Sequence, residues 1–172
     1  DILIKKVYLK NVKKIIINCG YSIEDFIFDD NLIDLTIYKI NHLLLKSLNS
    51  DKLENLNISG SYFNDQDFYN GFSFKNSFPN LKNLDIRFSI FDPNFNFDIL
   101  NNNYYNLYID HCKNYYNTNF NNLKKIKTLS ICGNDNIINI ENFHGTKLIL
   151  DSCYNFKMFN FQNLVDLSLR YN

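Results

Sequence analysis

An aliphatic residue, two variable residues, Leu or Ile, one variable residue, then Leu or Ile again: this spacing recurs down the chain. It reads Val12-Ile15-Ile17, Leu32-Leu35-Ile37, Leu53-Leu56-Ile58 and Leu81-Leu84-Ile86. It continues as Tyr104-Leu107-Ile109, Ile126-Leu129-Ile131 and Leu164-Leu167-Leu169, with a weaker copy, Leu148-Leu150, after Gly145. The starts, near 12, 32, 53, 81, 104, 126, 145 and 164, lie roughly 19 to 28 residues apart. Such a period predicts stacked coils, each burying its apolar face against its neighbours, in place of one central core. Within each unit, positions 4 and 6 alternate with 3, 5 and 7, the period of a strand with one buried face.

Position 9 carries the next signal. It is Cys112, Asn134, Cys153 and Asn172 in the later units, which completes the pattern L-x-x-L-x-L-x-x-(Asn or Cys). Here the chain resembles the leucine-rich-repeat family, from about residue 12 to the end. That resemblance implies an α/β solenoid: an arc with a parallel β-sheet on the concave face and a convex side of irregular and short helical segments. An Asn at a buried bend can donate and accept, bridging successive coils, and a Cys is small enough to fit the same slot. In the first units the position holds Gly20, Ile40, Ser61 and Ser89. Ile40 has no side-chain polar group, so the ladder is expected to break there.

The rest of each unit is aromatic, with Phe26, Phe74, Phe91, Phe143 and others spaced as one ring per coil. These read as a convex hydrophobic spine. Short units leave room only for extended or 3₁₀ segments, whereas 30–50, 92–102 and 118–125 could hold a helical turn or two. Residues 1–11, with Ile4, Val7 and Leu9, are expected to form an N-terminal strand or partial cap, and Lys10-Asn11 could turn a hairpin. The repeats then run from 12 to 172 and end mid-unit, so a larger protein is expected to surround this piece. The 62–80 stretch is an insertion, and insertions in solenoids often flank the binding face.

Composition narrows the function classes. Net charge is zero, so no excess of one sign is present to bind nucleic acid. No run of 18 apolar residues occurs, and a membrane partner is not expected. Apolar content of 45% suffices for a core. Asn is the anomaly, with 31 copies and no Ala at all. An AT-rich genome explains that bias, which makes any single Asn weak evidence. The four cysteines show no metal-ligand spacing, so no metal, disulfide or cofactor is expected. That favours a reducing compartment, cytoplasmic or nuclear. Asp110-His111-Cys112 suggests a nucleophile, but adjacent strand residues point apart, so no catalytic role is assigned.

Positions 3, 5, 7 and 8 face outward on the concave side. The densest group of interface-forming side chains is Asp85, Arg87, Phe88, Tyr108, Asp110 and His111, with Tyr38 to one side and Arg170 and Tyr171 at the far end. Arg87 could equally pair with Asp85 or Asp110, worth under ~1 kcal/mol if exposed. The expected function is a non-catalytic module that recognises a protein partner through the concave face and the 62–80 insertion. The alternatives are a structural arm of a larger assembly, or the substrate-receptor segment of a ubiquitin ligase. Oligomeric state is left open by the sequence.

Overall fold

The computed structural model describes residues 6–18, 23, 26–40, 42–63, 74–91, 105–113, 126–134, 138–140, 143–153, 156–157 and 162–170. Eight strands form one all-parallel sheet: β2 (Lys14–Ile17), β4 (Asp34–Ile37), β5 (Asn55–Asn57), β7 (Asn83–Asp85), β9 (Asn106–Asp110), β10 (Thr128–Asn134), β12 (Lys147–Cys153) and β14 (Asp166–Arg170). Their order in the sheet follows the chain, as it must when each coil lies on the one before. The register is set by the aliphatic positions: Leu35 pairs with Leu56, Leu56 with Leu84, Leu107 with Leu129, and Leu129 with Leu148. A slip of one residue would turn every one of those leucines out to solvent, so burial of one face specifies the register.

The interior is a continuous stack. Position 4 contributes Leu35, Leu56, Leu84, Leu107, Leu129 and Leu148; position 6 contributes Ile37, Ile58, Ile86, Ile109, Ile131 and Leu150, all buried. Position 1 supplies Leu32, Leu53, Leu81 and Ile126 to the same core. Gly145 is the exception, and the packing explains it. A Cβ there would lie 2.2 Å from the ring of Phe143 and 2.6 Å from the carbonyl oxygens of Ile126 and Lys127. The Phe143 ring, itself buried, takes the space that a position-1 side chain fills in other coils.

The opposite wall is more extended than an α/β arc requires. Short parallel pairs form there: β1 (Val7–Leu9) with β3 (Phe26–Phe28), β6 (Tyr62–Phe63) with β8 (Ile90–Phe91), and β11 (Ile138–Asn139) with β13 (Phe156–Lys157). Helix among the described residues is limited to α1 (His42–Ser47) and α2 (Phe74–Ser77). The described residues therefore form a mostly parallel β-solenoid with almost no helix; the solenoid agrees with the expectation, and the helical convex side of an α/β arc is not seen among them. Coils near 20 residues return faster through extended backbone, at about 3.3 Å per residue, than through helix at 1.5 Å. Of the expected helical stretches, 30–50 contains α1, where Leu44 and Leu45, with Leu48 just beyond its end, are buried; 92–102 and 118–125 lie outside the described residues. The hairpin expected at Lys10-Asn11 is also corrected. β1 runs parallel to β3 on the second wall, and Asn11, at φ 59°, turns the chain onto the main sheet.

Of the aromatic spine, Phe26, Phe74, Phe78, Phe91 and Phe143 are inside, and Phe28 is partly buried against them. Phe63, from the 62–80 insertion, joins it and stacks on Phe91 at 5.0 Å with 15° between the ring planes. Residues 64–73 of the insertion lie outside the described residues.

Candidate functional site

Each coil leaves the main sheet through the same bend. Position 8 has positive φ in six successive coils, at Lys39, Gly60, Phe88, His111, Gly133 and Ser152. The bend keeps the sheet's hydrogen bonding: the amides of Lys39, Gly60, Phe88 and His111 donate to Ser59, Arg87, Asp110 and Cys132 O of the next coil at 2.7–3.0 Å. Left-handed backbone suits glycine and costs other residues about 1 kcal/mol or more. Phe88 (φ 57°) and His111 (φ 55°) occupy it nonetheless, side by side, with Gly60 and Gly133 on either flank. Their rings stack at 5.2 Å and 8°, and Phe88 is 62% exposed. The result is a two-ring ridge projecting from mid-sheet between two glycine gaps.

Position 9 follows the bend and points inward. The amide of Ile40 donates to Ser61 Oγ (3.0 Å), and that of Ser61 to Ser89 Oγ (3.1 Å). The Ser89 amide in turn donates to the Cys112 sulfur. Each rung uses the backbone of one coil and the side chain of the next, so Ile40 joins the ladder through its N–H alone; the rung that would need a polar side chain at Ile40 starts at residue 20, outside the described residues. Cys112 Sγ donates to Ile86 O (3.1 Å) and Cys153 Sγ to Ile131 O (3.6 Å). Burial pushes the Cys112 thiol up to about 12, as desolvation penalises the thiolate. Asn134 ends β10 in register with Cys153. Asn172 lies outside the described residues.

Beside the ridge, Asp85 organises the concave face. Its carboxylate accepts from Arg87 Nε (2.9 and 3.0 Å), Arg87 Nη2 (2.5 Å), the Arg87 amide (3.2 Å) and Ser59 Oγ (3.2 Å). Arg87 thus pairs with Asp85, one of the two partners anticipated for it. The carboxylate raises the Arg87 pKa still further. The guanidinium is held 5.7 Å from the centre of the Tyr108 ring on the next strand. Because the Asp85 bonds use Nε and Nη2, they leave Nη1 for another acceptor. Asp110 is half-buried, and that desolvation raises its pKa despite a hydrogen bond from Ser130 Oγ (2.8 Å).

His111 approaches Cys132, with Sγ 3.5 Å from Nε2, whereas Cys112 is turned into the core. The Cys132 thiol is pushed up by burial and then by Asp151 and Asp110, the reverse of what activates a nucleophile. Cys112 and Cys132 are not in disulfides, and no metal-binding group of three or more ligands occurs among the described residues. No helix among them is long and apolar enough to cross a membrane.

The fold therefore brings Asp85, Arg87, Phe88, Tyr108, Asp110 and His111 together on two adjacent strands and their bends. It does not bring Tyr38 or Arg170 to them. Tyr38 is exposed two strand spacings from β7, and Arg170 is exposed on β14, four spacings away, or roughly 19 Å. Tyr171 lies outside the described residues. One row escaped the sequence reading. At position 3, Asn106 Nδ2 donates to Asn83 Oδ1, Asn83 Nδ2 to Asn55 Oδ1, and Asn55 Nδ2 to Asp34 Oδ1. Its signal was recurrence of Asn or Asp at one repeat position, which the abundance of Asn elsewhere concealed. No family model matches the chain, and no curated protein or solved structure matches it either.

Proposed function

We propose that the chain is a leucine-rich-repeat type module that binds a protein partner non-catalytically on its concave face. The observation that carries this reading is the Phe88–His111 ridge. Two large rings stand in left-handed backbone, where the neighbouring coils use Gly60 and Gly133 and close equally well. Their backbone cost has no return in core packing, since Phe88 is largely exposed. Aromatic and Arg side chains dominate binding energy at interfaces. Arg87, already locked by Asp85, loses little further freedom on binding.

The test is affinity capture from the native source with matched variants. Phe88→Gly/His111→Gly should stay within about 1 kcal/mol of wild-type stability, because strain relief offsets the lost stack. It should lose the captured partner, as should Arg87→Ala/Tyr108→Ala. A partner retained at wild-type yield by both folded variants would overturn the placement of the site.

A further inference from the structure

Next to the ridge the concave face is notched. Three outward positions on β10 carry little side chain: Ser130, Cys132 and Gly133. The strands on either side stand taller. In register with Cys132 are Asp110 on β9 and Asp151 on β12, and Ile149 is in register with Ser130. A strand spacing of about 4.8 Å puts these two walls roughly 10 Å apart. The notch is a cavity of about 220 Å³, with the stacked rings of Phe88 and His111 along one side and the buried Ser130 and Cys132 as its floor. Two carboxylates flank it without a cation. Asp110 is half-buried, and its Oδ1 accepts from Ser130 Oγ at 2.8 Å. Asp151 Oδ1 accepts from Ser152 Oγ at 3.0 Å. Neither makes an ion pair among the described residues, where Arg87 is taken by Asp85 and Lys147 by Asp166. Arg170 lies in register with Asp151 but is not bonded to it.

We propose that this notch receives an arginine side chain of the protein partner, a refinement that rests on the concave face being the binding face. The charge fits. Burial already penalises the ionised form of Asp110, and a cation placed beside it relieves that penalty. An acidic segment is rejected by the same two carboxylates. A metal ion finds no group of three or more ligands among the described residues. The shape fits as well. A guanidinium is planar, stacks on aromatic rings and forks onto a carboxylate. Asp110 Oδ2 accepts no hydrogen bond from the described residues, and the Phe88–His111 rings wall the same cavity. Ile149 offers apolar surface to the methylene stem of the incoming side chain.

The experiment is a titration of the full chain with N-acetyl-arginine amide at constant ionic strength, read from the backbone amide NMR shifts of Ser130, Cys132 and Gly133. The expected result is a saturable shift with a dissociation constant on the order of a few millimolar. Asp110→Asn/Asp151→Asn should weaken binding by about tenfold or more. Ser130 can still donate to an Asn at position 110, so the fold is retained, which circular dichroism verifies. N-acetyl-citrulline amide, close in shape but uncharged, should not bind. The absence of a saturable shift up to about 50 mM overturns the proposal. So does equal binding of the uncharged probe, or equal binding of arginine amide by the doubly substituted chain. The titration uses no partner, so its outcome is separate from that of the capture assay. In that assay, a partner lost by Phe88→Gly/His111→Gly but kept by Asp110→Asn/Asp151→Asn overturns the arginine notch and leaves the interface standing.

Discussion

The coils on either side of β9 close the same bend with different chemistry. At Ser61 and Ser89 the rung is a hydroxyl, which receives the amide of the preceding coil at 3.0 and 3.1 Å. At Cys112 and Cys153 it is a thiol, which reaches back to a carbonyl of the preceding coil at 3.1 and 3.6 Å. At Ser61, Ser89 and Cys112 the slot therefore takes a small residue able to accept one amide, not a particular residue. A hydroxyl makes stronger hydrogen bonds, whereas a thiol behaves mainly as a small apolar filler. The serine half also has the aromatic backing of Phe63 on Phe91. We expect its stability to depend on polar satisfaction and ring packing together, and the cysteine half to depend on volume.

The strongest perturbation removes that backing. Phe91→Ala should cost about 3–5 kcal/mol in chemical denaturation, because both stacked rings are fully enclosed. Next comes the rung itself. Ser61→Ala strands the buried amide of Ile40 and should cost about 1–3 kcal/mol. Cys153→Ser should change stability by less than Ser61→Ala; equal costs in urea titrations would erase the distinction between the halves. Gly145→Ala tests the cysteine half by volume, and crowding against Phe143 and two carbonyls should cost about 1–3 kcal/mol.

The halves should also differ in alkali. The Cys112 thiol ionises near 9 when the chain is unfolded and near 12 when folded. Between those values the unfolded state has lost the proton that the folded state keeps. Stability is thus intact below about pH 9 and falls as pH rises toward 12. Cys112→Ser should flatten that part of the slope, while Ser61→Ala should leave it unchanged. The smallest effects belong to exposed ion pairs. Glu54→Gln, which breaks the 2.7 Å contact with Lys82, and Lys147→Met should each shift stability by about 0.5 kcal/mol or less.

The solenoid was legible because Leu and Ile at positions 4 and 6 carry a strong signal: they form the buried face of each strand of the main sheet, so their spacing must equal the coil. The return wall was not. Helix and extended backbone bury Phe26 or Phe91 equally well, and the choice between them rests on coil length and on pairing with another coil, neither of which one unit displays. The inward position 9 was readable, yet the part Ile40 plays in it through its N–H was not, because a backbone amide leaves no mark in the sequence. Of the concave group, Asp85, Arg87 and Tyr108 could be placed together from position numbers alone. The Phe88–His111 stack depends on the left-handed bend. That bend could have been suspected only from Gly60 and Gly133 falling at position 8.

The amides at position 3 share one orientation. Each Nδ2 from Asn106 to Asn55 gives its hydrogen toward the chain's beginning, and the series ends on the carboxylate of Asp34. Such a relay has a head and a tail. Its last member must accept without donating, as a carboxylate does, and each inner member must do both. An Asp moved from the terminus to position 55 or 83 would accept from one neighbour and fail the other. The order of acid and amide along that row is therefore a polarity built across the sheet, perpendicular to the strands that carry it.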